Sequence, residues 1–323
     1  MVDLQNRTID YLRVSVTDRC NLRCVYCMPA HGVKPVAHEE LLSYEEIIKI
    51  CRCAAALGIR KIKLTGGEPL VRRGMAGLIR NIKEITGIDE VTMTSNGVLL
   101  YSELPALAQA GLNAVNISLD TLNPQHFEAI TRRKEEHPTL ATIDKALELG
   151  MRVKINTVLL HEYNIDDFLE LAELAHHRPI DVRFIELMPI GKGKEFTGVS
   201  TAEVKQRLAG AYGELIPCQK KLGNGPASYA SPAGFVGNLG FISAVSVGFC
   251  SSCNRIRLTS TGFLKLCLHY DEGVELRELL RSNITEEALT EVLRSAILNK
   301  PERHSFGKKT TNEEKHNMSE IGG

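Results

Sequence analysis

Strand-like and helix-like stretches alternate through the first two thirds of the chain, and the strands share one pattern. β-rich runs lie at Leu12–Val16, Arg60–Leu64, Glu90–Thr94, Asn113–Ser118, Arg152–Val158 and Asp181–Glu186. Helical periodicity separates them at Tyr44–Leu57, Gly74–Ile85, Ser102–Ala110, a broken stretch over Pro124–Leu149, and Ile165–His176. Such alternation predicts parallel strands joined by crossover helices. Side chains at i and i+2 share a strand face. One face carries Arg13, Ser15 and Thr17 in the first strand, Lys63 and Thr65 in the second, and Thr92 and Thr94 in the third. Asn116 and Ser118 follow in the fourth, and Lys154 and Asn156 in the fifth. Parallel strands buried on both faces should be apolar nearly throughout. A polar face on each of these strands predicts a barrel wall instead, apolar outward against helices, wet and charged within. Arg13, Lys63 and Lys154 suit that lumen to an anion. The expected fold is α/β, a partial (three-quarter) TIM-type (βα)6 barrel, with an open sheet as the alternative.

The strand ends are where ligands bind in parallel α/β folds. Here they read Thr65-Gly66-Gly67-Glu68-Pro69, Ser95-Asn96-Gly97, Leu119-Asp120 and Leu187-Met188-Pro189. Paired glycines admit a ligand close to the backbone, and they serve a plain strand-to-helix turn equally well. Ser43 with Glu46 forms a capping box ahead of the first helix. Gly58, Gly87, Gly111 and Gly150 stand where helix-ending glycines belong.

Cysteines mark two further places. Cys20-x3-Cys24-x2-Cys27 lies in the loop after the first strand, and Cys250-x2-Cys253-x13-Cys267 lies far downstream. Three thiolates at such spacing hold one face of an iron–sulfur cluster, or a zinc ion completed by a fourth ligand. His31 and His269 are the candidates for that fourth ligand. Cys51, Cys53 and Cys218 read as structural. After Pro189 the pattern changes to a polar loop, a helix over Thr201–Leu208, and short runs broken by glycine and proline. These predict a small appended α+β layer. Within it a hairpin, Ile256–Thr259 into Phe263–Leu268, is followed by helices at Val274–Leu280 and Thr285–Leu298. The tail from Lys300 is polar and expected to be loose. The division is thus 1–190, 191–299 and 300–323.

Lysine plus arginine equals aspartate plus glutamate at 39 each, which argues against a general nucleic-acid or membrane-surface binder. No apolar run reaches a membrane span, and Met1–Asp10 has no apolar signal core. A cytoplasmic protein is expected. Its nine cysteines then read as ligands, reactive thiols or core residues rather than disulfides.

The first triad, with Tyr26 before its last cysteine and Gly66-Gly67-Glu68-Pro69 after the second strand, resembles the radical S-adenosylmethionine (SAM) superfamily. The second triad, Arg255-Ile256-Arg257 and the terminal Gly322-Gly323 resemble the GTP 3′,8-cyclase family of molybdenum cofactor biosynthesis, nearly end to end. The resemblance implies a lyase with two 4Fe–4S clusters, on Cys20, Cys24 and Cys27 and on Cys250, Cys253 and Cys267. It implies SAM beside Tyr26, Gly67, Ser118 and Met188. It implies GTP on Arg13, Lys63, Thr94, Lys154, Arg255, Ile256 and Arg257, with Arg257, Gly322 and Gly323 serving catalysis. A 5′-deoxyadenosyl radical would take the ribose 3′ hydrogen. The product would be (8S)-3′,8-cyclo-7,8-dihydroguanosine 5′-triphosphate. Implied partners are a low-potential donor of flavodoxin or ferredoxin type, the downstream cyclic pyranopterin monophosphate synthase, and a second copy in a homodimer. Lys63 departs from the family, which usually has arginine there; lysine keeps the charge without the planar fork. Two alternatives stand beside this reading. One is another radical SAM enzyme with an auxiliary cluster, of peptide-maturase type; the other is a zinc-stabilised binding protein without catalysis.

Overall fold

The computed structural model describes residues 1–134, 138–220, 222–306 and 313–322. Six strands open the chain: β1 (Tyr11–Ser15), β2 (Lys61–Thr65), β3 (Glu90–Ser95), β4 (Ala114–Ser118), β5 (Arg152–Val158) and β6 (Asp181–Ile185). Between them run α1 (Tyr44–Ala56), α2 (Met75–Lys83), α3 (Leu100–Gln109), α4 (Pro124–Thr131), α5 (Thr139–Glu148) and α6 (Phe168–His177). Neighbouring strands in this set pair in parallel. Their apolar faces (Leu12, Ile62, Val91, Val115, Val153, Val182) are buried against helix residues such as Ile47, Ile50, Leu78 and Ile79. Each such side chain contributes about 1.5–3 kcal/mol by burial. The capping box forms as expected, with Glu46 N donating to Ser43 Oγ at 3.1 Å and Ser43 N donating to Glu46 Oε2 at 2.7 Å.

The remaining elements are α7 (Thr201–Tyr212), β7 (Ile216–Pro217), β8 (Ser228–Ser231), β9 (Asn238–Ile242), β10 (Arg255–Leu258), β11 (Phe263–Lys265), β12 (Gly273–Glu275), α8 (Arg277–Arg281) and α9 (Glu286–Leu298). They form the appended α+β region, and it joins the barrel's own sheet. β9 pairs in parallel with β6, and β10 pairs in parallel with β1, so the region extends both edges of one sheet. The physical reason is the open barrel: each edge strand presents unpaired N–H and C=O groups that another strand satisfies. Residues 243–254 join β9 to β10, the two ends of the parallel wall, and carry Cys250 and Cys253. The helix expected over Val274–Leu280 is instead β12 followed by α8, because Gly273–Glu275 pairs antiparallel with β11.

The tail is not loose in its described part. Lys300, Glu314, Ser319 and Ile321 are all buried. Its polar composition misleads because its charges are paired inside the molecule, Glu314 with Lys265 above all.

Candidate active site

The first triad is held by the Gly-Gly-Glu-Pro loop. Gly67 N donates to Thr17 O and Glu68 N donates to Arg19 O, each at 2.8 Å. A Cβ on Gly67 would lie 2.4 Å from Arg19 O and 2.7 Å from Asp18 O, so packing alone requires glycine here. Glu68 is fully buried and accepts from Leu70 N (3.1 Å), Ser95 Oγ (2.9 Å) and Asn96 N (2.7 Å). Asn96 Nδ2 in turn donates to Asn21 Oδ1 at 2.8 Å and to Cys20 Sγ at 3.7 Å. Burial lifts the Glu68 carboxyl to about 7, against the pull of those three donors.

Burial likewise pushes the Cys20 and Cys24 thiols up, and Cys27 to about 12. Thiolates persist there only beside a strong positive charge such as bound metal. Among the described residues, the groups whose ligand atoms all lie within 4.8 Å of one another are Glu173–His176–His177 and Asp271–Glu314–His316; neither is a cysteine triad. One tetrahedral zinc ion, with sulfur at about 2.3 Å, needs its thiolates about 3.8 Å apart. The wider triads fit a group of several metal atoms. His31 is exposed, and His269 Nε2 meets Ser305 Oγ at 2.9 Å.

Both triads line one cavity, and so do Tyr26, Gly67, Ser118 and Met188. Tyr26 Oη donates to Asp120 Oδ2 at 2.6 Å, and Val158 N donates to Asp120 Oδ1 at 2.8 Å. Burial raises Asp120 to about 6 despite both donors.

Strand register draws the lumen's cations together. Arg13 stands beside Arg257 on one side and Lys63 on the other, and Asn156 stands beside Arg183. Arg13, Lys63, Thr94, Lys154, Arg183, Arg255 and Arg257 all line the cavity. Burial first, then Arg183 and Arg13, holds the Lys63 ammonium well below the usual lysine range. Burial, then Arg13 and Arg255, does the same to Arg257. With its amide oxygen turned inward, Asn116 accepts from Lys63 Nζ at 2.5 Å and Arg183 Nη2 at 2.9 Å. Lys154 forms an ion pair with Asp181 and meets Tyr229 Oη at 3.2 Å. So many desolvated cations are a standing cost that a polyanion offsets.

At the second triad, His304 N donates to Cys250 Sγ at 3.4 Å. Burial raises the Cys253 thiol, but Lys300, Arg255 and Arg7 outweigh it and hold the thiol below its ordinary value. Arg257 Nη1 donates to Gly322 O at 3.1 Å, which brings the tail to the cavity cations. Gly323 lies outside the described residues. Ile256 is a correction: its side chain is buried in the outer core, because alternation turns it away from Arg255 and Arg257.

Sequence reasoning missed Arg183, Glu186, Lys300 and Arg7, and it placed Asp120 at a ligand-binding strand end without giving it a role. Arg183 carried a signal, since Asp181, Arg183 and Ile185 alternate with Val182 and Phe184 as on the other strands. Glu186 caps the far side of the site, accepting from Thr201 N (3.1 Å) and from Val245 N and Ser246 N (both 2.9 Å).

Comparison with known proteins places this geometry in context. The pattern describing the Radical SAM superfamily matches residues 14–175, and that described as Molybdenum Cofactor Synthesis C matches residues 180–306. A GTP 3′,8-cyclase of Clostridium perfringens (strain SM101 / Type A) is 47% identical over 323 residues, covering 100% of both chains. One from Pelotomaculum thermopropionicum is 43% identical over 327 residues, again covering 100% of both. Among solved structures, Streptococcus suis SuiB bound to precursor peptide SuiA matches 95% of this chain and 69% of its own, with a TM-score of 0.61. At 17% identity that likeness is one of fold.

Proposed function

The chain belongs to the radical SAM superfamily and, within it, to the GTP 3′,8-cyclase family, and from that membership we propose that it converts GTP to (8S)-3′,8-cyclo-7,8-dihydroguanosine 5′-triphosphate in molybdenum cofactor biosynthesis. The observation that carries the reading is one cavity lined by both cysteine triads and by a ring of desolvated cations.

Cys20, Cys24 and Cys27 hold one 4Fe–4S cluster, and Cys250, Cys253 and Cys267 hold the other. The first cluster, when bound, supplies the electron that splits SAM into methionine and a 5′-deoxyadenosyl radical. Gly67 offers SAM its backbone, Ser118 its hydroxyl, and Met188 and the Asp120-anchored Tyr26 pack beside it. Arg13, Lys63, Thr94, Lys154, Arg255 and Arg257 take the triphosphate, and Arg183 joins them from β6. Fixed there, the ribose would present its 3′ hydrogen to the radical that bound SAM would supply. C3′ then bonds to C8 of the guanine, and one electron and one proton complete the dihydro product. Arg257, holding Gly322 O through its Nη1, acts at this step, and the terminal glycine pair serves it.

The electrons come from a low-potential donor of flavodoxin or ferredoxin type, and the product passes to cyclic pyranopterin monophosphate synthase. The chain works in the cytoplasm as a homodimer; among the described residues no helix is long and apolar enough to cross a membrane. Residues 1–190 serve radical formation, 191–299 hold the second cluster, and 300–323 form the tail.

Anaerobic incubation with SAM, dithionite and GTP deuterated at the ribose 3′ position tests this. Deuterium should appear in 5′-deoxyadenosine, whose formation should depend on GTP. Deuterium retained in GTP overturns the mechanism. Reconstituted protein should hold about eight irons and eight sulfides per chain; stoichiometric zinc without sulfide would instead support a binding protein.

A further inference from the structure

The segment after α9 is tied to the hairpin that carries the last cysteine of the second triad. Lys265, at the end of β11, forms an ion pair with Glu314, and both side chains are 1% exposed. The same ammonium donates to Tyr270 O at 2.8 Å. Glu314 N donates to His269 O at 2.8 Å, and a β-bridge joins Tyr270 to Glu313. The loop after Cys267 is therefore gripped by its own hairpin and by the tail together. Farther along, the tail closes into a turn. Asn317 N and Nδ2 donate to Glu320 Oε2 at 2.8 and 3.0 Å, and Glu320 N donates back to Asn317 O at 3.0 Å. That turn rests on Gly191, where a Cβ would come within 2.9 Å of Asn317 Cα. Gly322 then meets Arg257.

A buried ion pair is a poor source of net stability, yet removing one partner strands the other charge in the interior. What it adds is direction: Lys265 Nζ also donates to Tyr270 O and lies 3.9 Å from Asp271 Oδ1, and Glu314 Oε1 accepts from His316 N at 2.7 Å. We propose that Lys265 and Glu314 are positioning residues for the reaction. Their pair sets the register at which the tail enters the cavity, so that Gly322 reaches Arg257. Because the pair and its hydrogen bonds enclose the loop of Cys267, the tail seats only when that loop is folded around the group its triad holds. The second triad is thereby filled before the cavity closes. This rests on the reading that Gly322 and Gly323 act in the cavity.

Hydrogen exchange over residues 313–322 tests the proposal on the reconstituted full chain. Glu314→Gln should speed exchange there about 100-fold, at the low end of what stranding a buried charge costs. Its iron content should stay at the wild-type value. Its GTP-dependent 5′-deoxyadenosine formation should fall about tenfold or more. Cys267→Ala should speed tail exchange as well. The apolar double variant Lys265→Met with Glu314→Leu should recover protection, since it leaves no stranded charge, but not turnover, since an apolar pair sets no register. Wild-type exchange or wild-type turnover in Glu314→Gln overturns the proposal. So does a double variant that turns over as fast as wild type. A chain ending at Ile321 separates this from the underlying reading. If it cyclises GTP normally, the role of the glycines is wrong. If it is inactive while Glu314→Gln behaves as wild type, only the positioning role fails.

Discussion

Arg13 on β1 and Arg257 on β10 are register partners on adjacent parallel strands, so two like charges sit side by side in the lumen. Burial lowers the affinity of both for a proton; after burial, Arg13 lowers it further at Arg257, while Arg255 and Arg183 lower it further at Arg13. Such an arrangement is unfavourable until an anion bridges it. Arg257→Met should therefore leave the ligand-free chain as stable as wild type, or more so by on the order of 1 kcal/mol. GTP affinity should fall about 10- to 100-fold, the loss of one or two charge-assisted hydrogen bonds. Thermal unfolding with and without GTP reads both effects. A variant destabilised without GTP, yet shifted by GTP as much as wild type, would contradict the polyanion site.

Arg7 uses one guanidinium to join three distant segments. Nε pairs with Asp3 at 2.6 Å, Nη1 donates to Cys250 O and Glu302 O, and Nη2 donates to Lys300 O and Pro301 O. A lysine ammonium is a single point and does not reach these carbonyls as a fork does. Arg7→Lys should lower stability by about 1.5–3 kcal/mol. It should also reduce reconstituted iron from about eight to about four per chain, through the second triad alone. SAM cleavage without GTP should persist. Full iron loading with wild-type stability would show that Arg7 does not organise that triad.

Much of this site is legible in the chain itself, and what is not has a physical cause. The polar lumen follows from period-two alternation, a property of each strand alone, and applying it to β6 finds Arg183. Ile256 fails the same rule inside a run taken whole from resemblance. Arg7 carries no local signal because its partners lie up to 295 positions away. The edge pairings of β9 and β10 are hidden for a similar reason: which short strand completes an open wall is decided by unpaired backbone elsewhere. The tail reads as solvated because composition does not record that Glu314 meets a buried lysine.

Glu68 gives the fold a pH dependence whose sign can be worked out. Burial raises its carboxyl to about 7 from 4.5, so the folded chain holds the proton more tightly than the unfolded one. The resulting stabilisation is fully present below about pH 4.5 and is lost as pH rises through about 7. Its size is on the order of 3 kcal/mol. Glu68→Gln removes this slope. It also turns an amide donor toward the Asn96 or Leu70 N–H, at a cost of about 1–3 kcal/mol. Denaturant unfolding from pH 4 to 8 should show the gap between the two proteins narrowing as pH rises. Parallel curves would mean that Glu68 does not titrate in this window.

Gly67 and Gly77 make opposite predictions from the same substitution. At Gly67 an added Cβ would fall 2.4 Å from Arg19 O, a backbone atom of the first-triad loop that has no side-chain freedom with which to yield. At Gly77, inside α2, nothing lies within 4 Å of the added atom. Gly77→Ala should stabilise the chain by about 0.5–1 kcal/mol through helix propensity. Gly67→Ala must push the Asp18–Arg19 backbone away, breaking the Gly67 N to Thr17 O and Glu68 N to Arg19 O bonds that register the two loops. The first triad should then lose its metal while the second keeps about four irons. SAM cleavage should vanish with it, whether or not GTP is present. Iron analysis and 5′-deoxyadenosine release from the two variants decide the matter: if Gly67→Ala holds a full complement and cleaves SAM, the glycine serves the turn and not the triad.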